Sequence, residues 1–275
     1  MEQSSKKSDA TAPQAIHHEL RTAENSAAYL LRKLETAKQS NPKLALLDVG
    51  AGSGTISVTL AKAIPEGRVV ASDVKQDILV RAQAIAESEG IKNIEFQQAD
   101  VYKLPFADGS FDVTHCHQVL CHLKAPSDAL REMIRVTKPG GLVAVREGDL
   151  ETECIWPEAP GLLKFHNMAA NFMQLSGGSP KAGRQLLSWV LNAGVRRDQI
   201  TMTFGTWYYN SEDEKRTWAQ AMSELVRGGR MRGVALDAKL ATEDELEEMA
   251  RDWDEWWAKE DASLAMMQGE VVIQL

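Results

Sequence analysis

Two stretches of this chain carry residue types whose spacing could do chemistry. The first is Asp48-Val49-Gly50-Ala51-Gly52-Ser53-Gly54, which follows an apolar run and opens a helical pattern. Glycines so placed let a backbone turn tightly and approach a ligand closely, and the helix N-terminus behind them favours an anion. In the dinucleotide fingerprint the third glycine falls five positions after the first. Here that position is Thr55 and the glycine stands at Gly54, a spacing that leans away from a nicotinamide dinucleotide. Asp73, about 20 residues downstream at the end of the next strand pattern, suits the hydroxyls of a ribose; its plainer role is helix capping. Asp100 ends a third strand pattern in Ala99-Asp100-Val101. Alone it reads as a loop residue, but with Gly50 and Asp73 it makes three strand-end groups along one sheet edge, where open α/β sheets bind ligands.

The second stretch is His115-Cys116-His117-Gln118-Val119-Leu120-Cys121-His122. Strand alternation puts His115 and His117 on one face and Cys116 on the other. His122, on the following turn, is the first candidate for a general base, with Glu147 and Asp149 past the next strand as rivals. The bland readings are a histidine bonded to backbone and carboxylates that cap or face solvent. The separations do not cleanly reproduce the paired C-x₂-C and H-x₃₋₅-H spacings of a metal site, and alternate residues diverge on a strand, so no metal is expected.

The elements that must hold these groups alternate. Strands are predicted at residues 44–49, 68–73, 94–98, 111–117 and 142–147, and helices at 53–64, 76–88 and 126–136. Apolar strands alternating with helices predict a doubly wound, mostly parallel α/β sheet covered on both faces. Residues 1–15 read as a polar disordered tail and 16–42 as a helix that covers the site, capped by Thr22 with Ala27, Leu30, Leu31 and Leu34 on one face. The cofactor core spans 43–148. Beyond Asp149 the character changes, and all seven tryptophans lie there. Capping boxes at Ser211/Glu214 and Thr242/Glu245 each open a helix, and Arg227-Gly228-Gly229-Arg230 breaks the pattern between them. Late strands at 200–207 and 271–275 make the helical parts, about 149–180 and 210–262, an insertion near the sheet edge.

A net charge of −8 with thinly spread cations argues against nucleic acid as a partner. No apolar run approaches the ~20 residues of a membrane span. Three cysteines in no disulfide pattern fit a reducing compartment, so a cytoplasmic enzyme acting on a small molecule is expected, as a monomer or weak homodimer.

Several separate motifs then agree in order. The run from Leu46 to Gly54, Asp73, Asp100, the stretch Leu104-Pro105-Phe106-Ala107-Asp108-Gly109-Ser110-Phe111-Asp112, and Arg135-Val136-Thr137-Lys138-Pro139-Gly140-Gly141 resemble a class I S-adenosylmethionine-dependent methyltransferase of the UbiE type. The resemblance covers about residues 17–148, and the segment from His18 to Leu30 is similar to the lead-in helix of a fungal and bacterial branch. It implies a seven-stranded Rossmann-like sheet with helical lid insertions. It also implies S-adenosyl-L-methionine as cofactor, S-adenosyl-L-homocysteine as product, and no metal. Gly50, Gly52 and Gly54 would surround the methionine moiety, with Thr55 at the helix start. Asp73 would hold the ribose and Asp100 the adenine, between Val74 and Val101. His117 and Gln118 would meet the methionine part, and Arg21 or Asn25 its carboxylate.

Trp156, His166, Phe172 and Trp207 are the substrate-binding candidates, since aromatic side chains suit a flat apolar acceptor. They could equally form the insertion's own core. The branch includes secondary-metabolite thiol S-methyltransferases, so methylation of a dithiol natural product is the specific expectation. O- or C-methylation of a quinol, phenol or sterol-like acceptor is the alternative. A nicotinamide-dependent oxidoreductase and a non-catalytic binding module are the rival classes.

Overall fold

A computed structural model describes residues 16–275; the expected tail, 1–15, lies outside the described residues. Five parallel strands, β1 (Ala45–Val49), β2 (Arg68–Asp73), β3 (Ile94–Gln98), β4 (Phe111–His117) and β5 (Thr137–Gly148), run in the order β3-β2-β1-β4-β5. β6 (Cys154–Trp156), β7 (Ile200–Tyr209) and β8 (Ser263–Gln274) complete the sheet. β8 is antiparallel to its neighbours: one edge pairs with β5 and then with β6, the other with β7 over ten residues. The architecture is thus the expected seven-stranded, mostly parallel α/β sheet, ending in an antiparallel hairpin, with the three-residue β6 added.

The helices are α1 (Ile16–Glu19), α2 (Ala23–Ser26), α3 (Ala28–Ser40), α4 (Thr55–Ala63), α5 (Gln76–Ser88), α6 (Pro126–Val136), α7 (Pro160–Leu175), α8 (Ala182–Asn192), α9 (Glu212–Arg227), α10 (Gly229–Asp237) and α11 (Glu243–Trp256). One sheet face, with Leu46, Val69, Val113, Ala144 and Val272, packs on Leu30 and Leu34 of α3 and Leu60 of α4. The other, with Leu47, Val49, Val145, Val271 and Ile273, packs on Leu130 and Met133 of α6 and Leu186 and Val190 of α8. A separate core joins α7, α9 and α11 to the outer ends of β7 and β8, and holds Phe165, Trp218, Trp253 and Trp256.

Two departures from the sequence reading, and the role of one motif, matter for the site. The single lead-in helix is broken at Ala27 into α2 and α3, with Thr22 at the N-cap of α2 and Ala27, Leu30 and Leu34 buried. The last strand starts at Ser263, eight residues before the predicted Val271. The signature from Leu104 to Asp112 is fastened rather than reactive. Arg135 donates to the carbonyls of Leu104 (3.0 Å) and Phe106 (2.9 Å) and to Asp108 (2.7 Å), while Asp112 accepts from the Ala45 N–H (2.9 Å) and from Lys138 (2.9 Å).

Candidate active site

The C-terminal tips of β1, β2 and β4 converge on a cleft lined by His18, Arg21, Asp48, Gly50, Ala51, Gly52, Ser53, Thr55, Ile56, Lys75, Asp77, Ile78, Arg81, His117 and Gln118. Its floor is the glycine turn. Gly50, Gly52 and Gly54 all have positive φ (68°, 55° and 79°), a region where a side chain strains the backbone. A Cβ on Gly50 would fall 2.3 Å from Val119, and one on Gly54 2.6 Å from Ala82, so these two glycines are demanded by the protein's own packing. Gly52 differs: nothing lies within 4 Å of where its Cβ would stand, and its bare backbone faces the cleft.

Asp73 links this turn to the second strand. Its two oxygens accept from the N–H of Gly52 (3.1 Å) and of Lys75 (3.0 Å), which leaves a lone pair on each for a further donor. Asp48, 2% exposed, sits beneath the floor and receives the Ser57 hydroxyl (2.5 Å) and His115 Nδ1 (2.7 Å). The acidic tip, the open backbone at Gly52 and the following helix fit an adenosyl group with an amino-acid tail. When bound, S-adenosylmethionine would supply an electrophilic methyl on a sulfonium. The turn, Asp73 and the cations Arg21, Lys75 and Arg81 around the cleft are the groups that would hold it.

At the tip of β4, Gln118 adopts a left-handed φ of 53°, its N–H bonded to the Arg146 carbonyl (2.8 Å) and its carboxamide to Gln268 (3.1 Å). Such strain persists only where surroundings enforce it. Here it turns the chain sharply, so that His117 lines the cleft while residues 119–121 fold back over Glu147. The His117 ring lies 5.7 Å from that of Trp207, over which Arg21 stacks at 4.6 Å and Arg146 at 5.7 Å. Burial, followed by the charges of Arg21 and Arg146, holds the His117 imidazole well below its ordinary value, hence neutral. Burial also pushes the Arg21 guanidinium down to about 10.

The other acid–base candidates are placed differently. Glu147, fully buried, accepts the N–H groups of Val119 (3.0 Å), Leu120 (2.8 Å) and Cys121 (3.1 Å), which fixes the turn after β4. Burial raises it to about 7 against the opposing pull of those bonds. Asp149 is held by Arg184 through two 2.6 Å bonds. His122 is outside the residues lining the cleft, and its imidazole is lowered by burial and then by Arg21 and Lys75. Burial raises the Cys116 and Cys121 thiols, so neither is a ready thiolate.

Of the cofactor candidates, Arg21, Gly50, Gly52, Thr55, His117 and Gln118 line the cleft, with Gly54 and Asp73 bonded into its floor. Asn25 spends its side chain locally, accepting from Thr22 N–H (2.8 Å) and donating to the Leu20 carbonyl (2.8 Å). Asp100 accepts from Tyr102 N–H (2.9 Å), Val74 is exposed and Val101 is buried in the core under α6 and α8. Among the substrate candidates only Trp207 touches cleft residues. Trp156 is exposed and donates to Asp261 (3.1 Å), His166 faces Glu153 (3.4 Å), and Phe172 lies under Arg230 (5.8 Å). Sequence reading passed over Arg146 and Gln268. A charge inside the apolar run Leu142–Glu147 was a visible signal for the first; the second stood in a stretch not read as strand.

Comparison with known proteins fits this geometry. Residues 40–194 match the family described as Methyltransferase domain. An uncharacterized methyltransferase of Schizosaccharomyces pombe is 33% identical over 93% of this chain and 91% of its own length. The ubiquinone/menaquinone biosynthesis C-methyltransferase UbiE of Bdellovibrio bacteriovorus is 30% identical over 59% of this chain and 75% of its own length. A crystal structure from Bacillus halodurans shares the fold, with TM-score 0.54 at 22% identity over 89% of this chain and 97% of that one. Among the described residues no helix is long and apolar enough to cross a membrane, and no three His, Cys, Asp or Glu side chains are grouped to hold a metal ion.

Proposed function

This chain belongs to the methyltransferase-domain family and is an S-adenosylmethionine-dependent methyltransferase of the UbiE-like kind, and from that premise we propose that its acceptor is a small, largely apolar metabolite methylated on a thiol. The observation that carries the acceptor reading lies beside the cleft, where the buried ring of Trp207 backs two guanidiniums and a neutral imidazole, of which Arg21 and His117 line the cleft. Positive charge around it favours a nucleophile that reacts as an anion and disfavours an ammonium. A thiol, with pKa ~8.5, reaches that state near neutrality with little help.

Methyl transfer from a sulfonium expels a neutral thioether, so no general acid is needed. The protein must align donor and acceptor within about 3–3.5 Å and exclude water. In this reading Gly50, Gly52 and Asp73 fix the donor end and Arg21 the tail carboxylate. Asp100 with Val74 and Val101 frames the adenine beyond them. A C- or O-methylated quinol is the second reading, favoured by the likeness to UbiE.

Calorimetric titration with S-adenosylhomocysteine and with a nicotinamide dinucleotide, followed by a mass-shift screen of dithiols, phenols, quinols and amines, tests both readings. Binding of the first ligand alone, with products from dithiols heavier by one CH₂ per methyl transferred, supports the thiol. Products from quinols alone put the second reading in its place.

A further inference from the structure

We propose that His117, rather than His122, is the base that accepts the acceptor's proton. This assigns the enzyme to acceptors bearing an acidic X–H group, of which a thiol is one. The inference rests on the methyltransferase reading above, and only its thiol arm rests on the choice of acceptor atom.

The placement of the ring carries the argument. His117 is only 7% exposed, yet neither ring nitrogen has a hydrogen-bond partner among the described residues. A buried, unsatisfied imidazole costs free energy unless a ligand completes it. It stands at the tip of β4, next to Gln118 with its left-handed backbone, and lines the same cleft as Gly52. His115, two residues earlier on the same face, is already tied to Asp48 (2.7 Å), and His122 lies outside the cleft lining. The rival base candidates past β5, Glu147 and Asp149, are held by backbone N–H groups and by Arg184 respectively.

The charges around the ring decide which acceptors it can serve. Arg21 faces it from the segment between α1 and α2, Arg146 from β5, His115 from its own strand and His18 from α1. Arg146 is fixed in turn by Glu270 (3.1 Å) and by the Asn25 carbonyl (3.3 Å). Burial first, and then cations on two sides, keep the imidazole neutral and make it a weak base. A weak base removes a proton efficiently only from a comparably acidic group, which points to thiols, phenols and enols and away from aliphatic alcohols. In the step itself, the X–H proton passes to a ring nitrogen of His117. The electron pair left on X forms the new bond to the methyl carbon, whose old bond breaks with its pair on sulfur. The imidazolium formed between two guanidiniums then loses its proton to solvent.

The test compares wild type, His117→Asn, His117→Gln and His122→Ala. Each is measured for S-adenosylhomocysteine affinity by calorimetry and for single-turnover methylation of dithiothreitol and of 4-nitrobenzenethiol, the latter already ionised at the assay pH. With each variant saturated by S-adenosylmethionine according to its own measured affinity, the expected result for the two His117 variants is a single-turnover loss of about 100-fold or more with dithiothreitol, the lower end for a general base. The pre-ionised thiol should show little loss. Equal losses with both thiols would give His117 a structural role only, and a selective loss in His122→Ala alone would return the base to His122; either overturns the inference. If wild type methylates phenols and no thiol, the thiol reading falls while the same comparison, run with phenol and 4-nitrophenol, still decides His117. As a readout independent of turnover, the ring nitrogen resonances of His117 should shift when dithiothreitol binds beside S-adenosylhomocysteine, because a neutral, unpartnered ring nitrogen gains the thiol as a hydrogen-bond donor. Unmoved resonances on dithiothreitol binding would also overturn the assignment.

Discussion

Asp73 shows how one side chain can serve both the protein and a ligand. Its oxygens hold the N–H groups of Gly52 and Lys75, so the carboxylate is already oriented before a ribose hydroxyl arrives. Asp73→Ala should therefore weaken S-adenosylhomocysteine binding by about 1.5–3 kcal/mol, the scale of a hydrogen bond to a charged group. Calorimetry on a folded variant measures it, and unchanged affinity would remove Asp73 from the site. Glu147 carries a prediction about pH. Its carboxyl is raised from 4.5 to about 7 in the folded protein. The folded state then binds more protons than the unfolded state between those values, so this group's contribution to stability is complete below pH 4.5 and is lost as pH rises through 7. On the order of 3 kcal/mol is at stake. Glu147→Gln should flatten the slope of urea-derived stability between pH 5 and 7 relative to wild type; an unaltered slope would show that Glu147 is ionised throughout. At this scale the sequence spoke clearly where a residue's role follows from its neighbours in the chain, as in the Gly50–Gly54 turn. It was silent where the partner is distant: Arg146 meets Glu270 and Asn25 only because β5, β8 and α2 are brought together.

Elements differ in what their glycines are for. Gly54, packed against Ala82, and Gly52, open to the cleft, share a positive φ but face opposite demands. Gly54→Ala adds a clash to the strain, so thermal stability should fall by roughly 2–4 kcal/mol from overpacking and φ combined. Gly52→Ala adds only the strain, about 1–2 kcal/mol, but puts a methyl where a ligand would lie. Its loss of S-adenosylhomocysteine affinity should exceed its loss of stability, the reverse of Gly54→Ala. Parallel calorimetry and melting of the two variants checks the pair; the same ranking in both would mean the turn does not face the cofactor. The helices and the inner strands were legible because caps, proline stops and apolar runs coincide there, so that β2, α5, β4 and α6 have the boundaries read from the sequence. The first half of β8, Ser263-Leu264-Ala265-Met266-Met267-Gln268-Gly269, was not legible. It has no β-branched residue, and its extended form comes from being hydrogen-bonded along both edges.

Across the whole molecule, β8 joins what the sequence divides. Leu264 and Met266 belong to the core under α9 and α11, Val272 to the core under α3 and α4, and Val271 and Ile273 to the core under α6 and α8. The tryptophan-rich insertion and the cofactor half should consequently unfold together. Ile273→Ala, a truncation in the cofactor half, should cost about 2–5 kcal/mol. It should lower the denaturant midpoint seen by tryptophan fluorescence as much as that seen by circular dichroism; a fluorescence transition left in place would make the insertion an independent unit. The doubly wound half was foreseeable from local pattern alone, whereas this welding of two cores is a long-range outcome that no window of sequence displays.

The ten-residue ladder between β7 and β8 also constrains traffic. Trp207 stands on β7, so the support it gives His117 and Arg21 cannot swing outward without unzipping that ladder. The stretch from His18 to Asn25 is held by side chains instead of a ladder: Ala23 N–H to Thr59 (2.7 Å), Glu19 to Arg81 (2.5 Å), Arg21 over Trp207 (4.6 Å) and Arg146 to the Asn25 carbonyl (3.3 Å) are among its ties to the body. A strand ladder opens only as a unit, whereas side-chain ties break one at a time. Amide protons there should exchange with solvent well before those of β7 and β8, and reactants would pass over that threshold.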